Sequence, residues 1–418
     1  MKPAVLSKDV LMPSPITALA LVNPGFEEIA FKNIAVYAPI TNPSRIPEEK
    51  GMITFQTNSL MDLCRITYRS QIINQLFILL EKISYTTEDD LAAQLQDRIA
   101  KNKHIATCFT PASAFRVYCR SKVLDNQELE RHIGKCIDEN LAAQGISLEI
   151  DLKHPDIAVY CIASNRAPSS GTQHHQAYLC IDFSGDLAKR DYRVFNSSQS
   201  LRGTTAFGLL ALAGYHPKDS LLDPFANSGT LAIEAVLFAN NISHRQYHKT
   251  FPFMKLALLS GTDWDAFFAK EDKAQKDIDP PITAADPLLR NITAANKNAK
   301  IAGVEKYLHF RRIDIDWHDV KFEKSGFDKI ITFIPGSSKH KHDALLDKQF
   351  KEFFYQAEYI IKPEGSVVVL CITAKQLLAA AEEHFELADE KTIYSGEQEM
   401  RVLFFKRKGK PSTAPDTA

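Results

Sequence analysis

The chain has 418 residues, more than one hydrophobic core organises, and its 45% hydrophobic and 24% charged residues exclude a disordered or fibrous protein. A net charge of −1 excludes a globally cationic binder of polyanions, so any grip on nucleic acid must come from local basic clusters. No run of about 18 apolar residues marks a membrane span, Met1–Pro15 does not read as a signal peptide, and seven scattered cysteines without a C-x-x-C pair point to reduced thiols, no metal site and a cytoplasmic location.

Residues 17–90 alternate strand and helix signals in a small α+β unit. Thr17–Val22 is an apolar strand stopped by the Asn23-Pro24-Gly25 turn, and Phe26–Ile34 predicts a helix with Glu27 and Glu28 at the positive end of its dipole. Gly51–Gln56 predicts a strand, and the spacing of Leu60, Leu63, Ile72, Ile73, Leu76, Leu79 and Leu80 predicts one helix over Ser59–Leu80. Residues 91–185 predict a second α+β unit: a strand at Ala114–Cys119, an amphipathic helix at Asn126–Ala143, and strands at Asp156–Ala163 and Ala177–Phe183. The polar loop Asn165–Gln176 carries His174 and His175 as surface residues.

Residues 186–408 form the third expected domain, and from about residue 200 strand and helix alternate strictly, which predicts a parallel sheet covered on both faces. Ser220–Asp223 leads into a helix at Thr230–Asn240, and Ile282–Ala285 into a helix at Leu288–Ala302. Leu308–Ile313, Phe327–Phe333 and Gly365–Ile372 predict further strands, with Arg401–Lys406 as an edge strand. Ser243–Pro281 interrupts the alternation as an inserted helix and loop, in which Trp264 and its phenylalanines pack and Lys270–Asp279 is a solvated face. Residues 409–418, rich in Pro, Thr and Lys, predict a disordered tail.

The stretch Leu221-Leu222-Asp223-Pro224-Phe225-Ala226-Asn227-Ser228-Gly229-Thr230 runs a strand into a small-residue loop and then a helix. Such a loop lets backbone N–H groups approach an anionic or zwitterionic cofactor, although an ordinary strand-to-helix turn has the same signature. Asp286 ends the next strand, where a carboxylate can take ribose hydroxyls, and Asp314 follows the strand after that, where it can accept from an adenine amine. Acids at three successive strand ends suit an adenosyl ligand lying across the carboxyl edge of the sheet, although an isolated Asp there also serves as a helix cap. A dinucleotide site is disfavoured, because no G-x-G-x-x-G occurs and Asp286 lies far beyond the roughly 20-residue offset of that fingerprint.

Leu221–Ala235 resembles the segment L-L-D-P-x-C-G-S-G-T-x-x-I-E-A of the THUMP-containing RNA methyltransferases, which modify guanine N2 in tRNA or ribosomal RNA. Asp223, Pro224, Ser228, Gly229, Thr230, Ile233, Glu234 and Ala235 match, whereas Ala226 and Asn227 replace a Cys and a Gly. Asp182-Phe183-Ser184-Gly185, Leu187, Lys189-Arg190 and Tyr192-Arg193 are similar to the family's D-x-S-G-x-x-L-x-x-R-x-Y-R joint, and Pro24-Gly25-Phe26-Glu27-Glu28 to its opening P-G-L-E-E. Phe115-Arg116-Val117, Gly134, Asp151-Leu152 and Pro155-Asp156 resemble the THUMP core, and Asn298-Ala299 the helix after the ribose-binding acid. The resemblance implies an α/β chain: a ferredoxin-like domain (1–90), a THUMP domain (91–185) and a Rossmann-like class I methyltransferase domain (186–408) using S-adenosylmethionine. It further implies a cofactor site at Asp223, Pro224, Asn227, Gly229, Asp286 and Asp314, and an RNA partner, tRNA, docked by the two front domains. Lys189, Arg190 and Arg193 would contact phosphates or form salt bridges, and Lys339-His340-Lys341-His342 would touch phosphate or remain a solvated loop.

One departure bears on catalysis. The family's N-P-P-Y or N-P-P-F loop supplies an acceptor for the exocyclic amine and a ring that stacks on the flipped base. Here the loop reads Phe333-Ile334-Pro335-Gly336, so Phe333 stands at the acceptor and only Pro335 remains. A general acid–base contribution is typically ~10² to 10⁴ in rate, so the change implies either a different target atom or lost catalysis. Two readings stay open: an active RNA methyltransferase, and a catalytically impaired homologue that acts as an RNA-binding protein.

Overall fold

The computed structural model describes residues 14–408 apart from 112, 152, 165–173, 198–199 and 335–342. The readings made for most of the Asn165–Gln176 loop, for Pro335, Gly336, Lys339–His342 and for the 409–418 tail fall outside these residues. The chain divides into two compact units, one reaching Ala188 and including Arg245–Ala274, the other comprising Lys189–His244 and the residues from Gln275 onward. Among the described residues, no helix is long and apolar enough to cross a membrane.

The first unit is built on one eight-stranded sheet. Its strands are β1 (Ile16–Leu21), β2 (Thr41–Arg45), β3 (Met52–Thr57), β4 (Gln75–Tyr85), β5 (Ala114–Arg120), β6 (Glu149–Ile150), β7 (Ile157–Ala163) and β8 (His175–Asp182). Their order is β2-β3-β1-β4-β8-β7-β5-β6, so the sheet runs continuously through both of the α+β units that the sequence separates. Helices α1 (Glu27–Tyr37), α2 (Leu60–Arg69), α3 (Glu88–Lys101) and α4 (Asn126–Ala142) complete it. The single helix expected over Ser59–Leu80 stops at Arg69, and the remainder is strand. Gln75–Tyr85 pairs with β1 on one side and β8 on the other, and burial of Gln75–Ile78 hides the strand alternation that would have marked it.

The segment Arg245–Ala274, expected in the third domain, packs within this first unit. Phe251, Phe253, Trp264 and Phe268 stack on one another, and Tyr68 from α2 joins them with ring centroids 5.0 Å from Phe268. The charged run Lys270–Asp279 is therefore not a uniformly solvated face. Glu271 is buried and accepts from Arg65 Nε at 3.0 Å, and Asp272 accepts from Tyr68 Oη at 2.6 Å. Asp182-Phe183-Ser184-Gly185 acts as a structural knot: the Asp182 carboxylate takes the Ser184 and Gly185 N–H groups, and Ser184 Oγ takes the Leu76 N–H at 2.7 Å.

The second unit is a seven-stranded sheet of β9 (Leu221–Asp223), β10 (Ile282–Asp286), β11 (His309–Arg312), β12 (Phe327–Ile334), β13 (Ile361–Cys371), β14 (Phe385–Ser395) and β15 (Gln398–Arg407). The order is β11-β10-β9-β12-β13-β15-β14, parallel from β11 to β13, with β15 antiparallel to both neighbours. β15 is thus interior and β14 is the edge, contrary to the expectation for Arg401–Lys406. β14 escaped the sequence reading because Glu386–Glu390 face solvent or half-face it and break the apolar alternation. The helices are α5 (Gly203–Leu212), α6 (Thr230–Ala239), α8 (Leu289–Ala302), α9 (His318–Lys321), α10 (Asp343–Ile360) and α11 (Ala374–Ala381), while α7 (Trp264–Asp272) belongs to the segment counted with the first unit.

A buried ion pair locks the start of this unit. Arg190 Nε and Nη2 donate to the two oxygens of Glu234 on α6 at 2.7 and 3.3 Å, and Tyr192 Oη donates to Oε1 at 2.7 Å. Both charged side chains are fully shielded from solvent. Gly203 makes the approach possible, since a Cβ there would lie 2.5 Å from Arg190 Nε and 2.6 Å from Glu234 Oε1. Removing one partner strands the other charge in a dry site. Glu234→Ala is therefore expected to lower the unfolding free energy by about 3–5 kcal/mol in urea titrations; a loss below about 1 kcal/mol would show that the pair is dispensable.

Candidate cofactor and substrate site

The carboxyl ends of β9 and β10, the loop after β9, and Asp314 two residues beyond β11 place the expected cofactor residues along one edge of the sheet, with Phe333 at the end of β12. The first is Asp223, the last residue of β9, 3% exposed. Its Oδ1 accepts from Thr332 Oγ1 on β12 at 2.7 Å and from the Phe225 N–H at 3.3 Å. Pro224 is buried beside it. Burial pushes the Asp223 carboxyl up to about 7; the Thr332 and Phe225 hydrogen bonds oppose that rise and the charge of Asp286 adds to it.

The loop after β9 turns through two left-handed residues. Asn227 has φ +49°, and Gly229 has φ +79° immediately before α6. At Gly229 a side chain has no room, because a Cβ would lie 2.7 Å from the Ala295 Cβ on α8. Asn227 tolerates its conformation as Asn does, and its side chain is engaged: Oδ1 accepts from Ser197 Oγ at 2.9 Å and Ser200 Oγ at 3.3 Å. Asn298, fully buried on α8, binds the backbone of Phe195 in both directions and the Ser228 carbonyl at 3.0 Å. Ser197, Ser200, Leu201, Asn291 and Thr332 escaped the sequence reading. Their types are common, and only tertiary approach brings them to the loop.

Asp286, 4% exposed, joins three pieces of chain. Its Oδ2 takes the Asn227 N–H at 3.0 Å, and its Oδ1 takes the Leu288 N–H at 2.9 Å and Asn291 Nδ2 at 3.0 Å. A carboxylate offers about four acceptor sites, so about one is left for a further donor. Asp314, just past β11, is exposed, and its carbonyl starts the short turn that leads to α9. The adjacent His318 is buried, and burial brings its imidazole down to about 4, so it is neutral.

Phe333, at the expected acceptor position, is half-buried and lines a small cavity with Leu201, Asp223, Asn227 and Leu231. That cavity measures about 10 Å³, the room of roughly one water. Of the three residues expected to meet phosphate, Lys189 is exposed and Arg193 is half-buried, with its Nη2 3.4 Å from the Ser200 carbonyl. Arg190 is not available to RNA, since its guanidinium is sealed against Glu234.

The raised carboxyl of Asp223 has a thermodynamic consequence. Its folded value lies above the ordinary 3.8, so the native state holds a proton that the unfolded chain releases between about pH 4 and 7. The associated stability is complete below pH 4 and is lost as pH rises through 7. Asp223→Asn is expected to remove this component, so that wild type loses up to ~4 kcal/mol relative to the variant across that window. Urea unfolding of both proteins at pH 4 to 8 measures the difference, and parallel profiles would disprove it.

Three likenesses bear on this geometry. The tRNA (guanine(6)-N2)-methyltransferase of Methanocaldococcus jannaschii is 26% identical over 396 residues, covering 92% of this chain and 98% of that one. The protein of the same name from Archaeoglobus fulgidus is 23% identical over 395 residues, covering 92% and 91%. The crystal structure of SMU.472 complexed with SAH superposes with a TM-score of 0.78 at 18% identity, covering 96% of this chain and all of that one, and so shares its fold. Residues 190–399, half of the chain, match the family model described as RMKL-like, methyltransferase domain, and with the strand-end carboxylates and the left-handed glycine loop in place, the chain belongs to that family.

Proposed function

We propose that this chain is an S-adenosylmethionine-dependent RNA methyltransferase that acts on tRNA, at the exocyclic N2 of a guanine. The observation that carries the reading is the likeness along 92% of the chain to two proteins named for that reaction. The row of carboxylates at the sheet edge supports it. In this reading the first unit holds a ferredoxin-like domain over residues 1–90 and a THUMP domain over 91–185, which bind the RNA, and the catalytic domain spans 186–408. Seven free cysteines suit a cytoplasmic setting.

The donor set suits an adenosyl group. Asp286 keeps about one acceptor site for a ribose hydroxyl, and Asp314 presents an exposed carboxylate for the base. Asn227 and Gly229 shape the loop that would face the methionine portion. When bound, S-adenosylmethionine supplies an electrophilic methyl group on its sulfonium. The protein's part is to orient a guanine amine, a weak nucleophile whose lone pair is delocalised, and to draw off its proton. Phe333 offers no side-chain acceptor for that proton, and the Thr332 hydroxyl donates its own hydrogen to Asp223.

Phe333 and the cavity of about 10 Å³ favour the second reading, a catalytically impaired homologue that serves as an RNA-binding protein. Incubation with labelled S-adenosylmethionine and unmodified tRNA separates the two. Transfer by wild type is expected, and Asp286→Ala should weaken cofactor binding in calorimetry by about tenfold or more through loss of a charged hydrogen-bond acceptor. Phe333→Asn, which restores an acceptor, is expected to raise the transfer rate by about 10²-fold. No transfer by wild type with transfer by Phe333→Asn would establish the impaired reading, and no cofactor binding by any of them would remove the enzyme reading and leave the RNA-binding one.

A further inference from the structure

The second unit carries a cleft of about 810 Å³ at the amino edge of its parallel strands, away from the carboxyl edge that holds Asp223 and Asp286. Five cations line it: Lys324, Lys329, Lys406, Arg407 and Lys408. Two carboxylates, Glu364 and Glu386, stand against them. In a chain whose net charge is −1, such a local excess of positive charge is the feature that a polyanion would find.

The way these cations are held matters. Lys329 Nζ donates to the Ala213 carbonyl at 2.9 Å and the Ser366 hydroxyl at 3.1 Å, and Lys408 Nζ donates to the Glu382 carbonyl. Neutral acceptors fix an ammonium in place without cancelling its charge. Among the described residues, only Arg407 of these five has a carboxylate partner, Glu358 at 3.4 Å. Lys324 and Lys406 are exposed. Among the described residues no aromatic side chain lines the cleft, so they offer no ring for a base to stack on and no means of reading sequence by stacking. Point charges without rings suit phosphates, which position a nucleic acid without specifying its sequence.

We infer that this cleft binds the phosphodiester backbone of the RNA, as a second contact remote from the nucleotide being modified. The kind of polyanion rests on the function proposed above; the cleft itself does not. Lys329 and Phe333 lie four residues apart on β12, ~13 Å of strand rise. A folded RNA that presents a nucleotide at the carboxyl edge can therefore lay its backbone against the opposite edge of the same sheet.

The test is binding of a labelled RNA hairpin to the full chain, followed by fluorescence anisotropy over a range of KCl concentrations. The triple variant Lys324→Ala, Lys406→Ala, Lys408→Ala should bind about tenfold more weakly near 100 mM salt, with a log–log salt slope shallower by about 2 to 3. The charge-conserving triple Lys324→Arg, Lys406→Arg, Lys408→Arg should retain wild-type affinity and slope, which separates loss of charge from loss of fold. Equal affinity and slope for wild type and the alanine triple overturn the inference. So does a wild type that binds no RNA, or one that binds polyglutamate in its place and loses that binding in the triple. If the alanine triple loses RNA while wild type transfers no methyl group, the cleft assignment stands and the enzyme reading alone falls.

Discussion

The Asp286 carboxylate is the point on which the candidate site depends. It sits at the end of β10, receives the Asn227 N–H from the loop after β9, and receives the Leu288 N–H and the Asn291 amide at the entry to α8. A loop 59 residues away and the nearby entry to α8 thus converge on two oxygens. The arrangement holds because charge-assisted hydrogen bonds are strong when dry and costly to leave unmade. Asn227 adopts its left-handed backbone as Asn readily does, and the loop behind it could not stay close to α8 without Gly229.

Around that anchor the protein tolerates two further buried carboxylates by different means. Glu234 is neutralised by Arg190, with Tyr192 adding a donor, so its charge is retained in the interior. Among the described residues Asp223 has no cation beside it and is instead driven toward its protonated form, with the Thr332 hydroxyl as partner. The first solution builds the domain. The second leaves a titrating group beside Phe333, within a space that holds about one water. The half-buried ring of Phe333 borders that space.

Much of the second unit was legible in the sequence because its order follows local rules. Outside the Arg245–Ala274 insertion, strand and helix alternate from Leu221 to Ala302, and the acids at 223 and 286 fall at strand ends as expected. The first unit was less legible. Gln75–Tyr85 lies in the middle of its sheet with several buried neighbours in a row, so a period of two never emerged and the run read as helix. Thr41–Arg45 is exposed throughout and contains Pro43, so nothing apolar announced it as a strand. Glu271 sat in a charged run and read as solvated, and only the approach of Arg65, 206 residues away, gives it a buried partner.

The sequence by itself determined the family resemblance, the strand-end acids and the phenylalanine at 333, because each is set by residue type at a fixed local spacing. Tertiary structure alone decided that Arg190 faces Glu234 and not solvent, that Arg245–Ala274 packs with the first unit, and that Ser197, Ser200 and Thr332 converge on Asn227 and Asp223. The physical reason is the same in each case. Burial and pairing are properties of the partner that arrives from elsewhere in the chain, and no local pattern encodes which partner that will be.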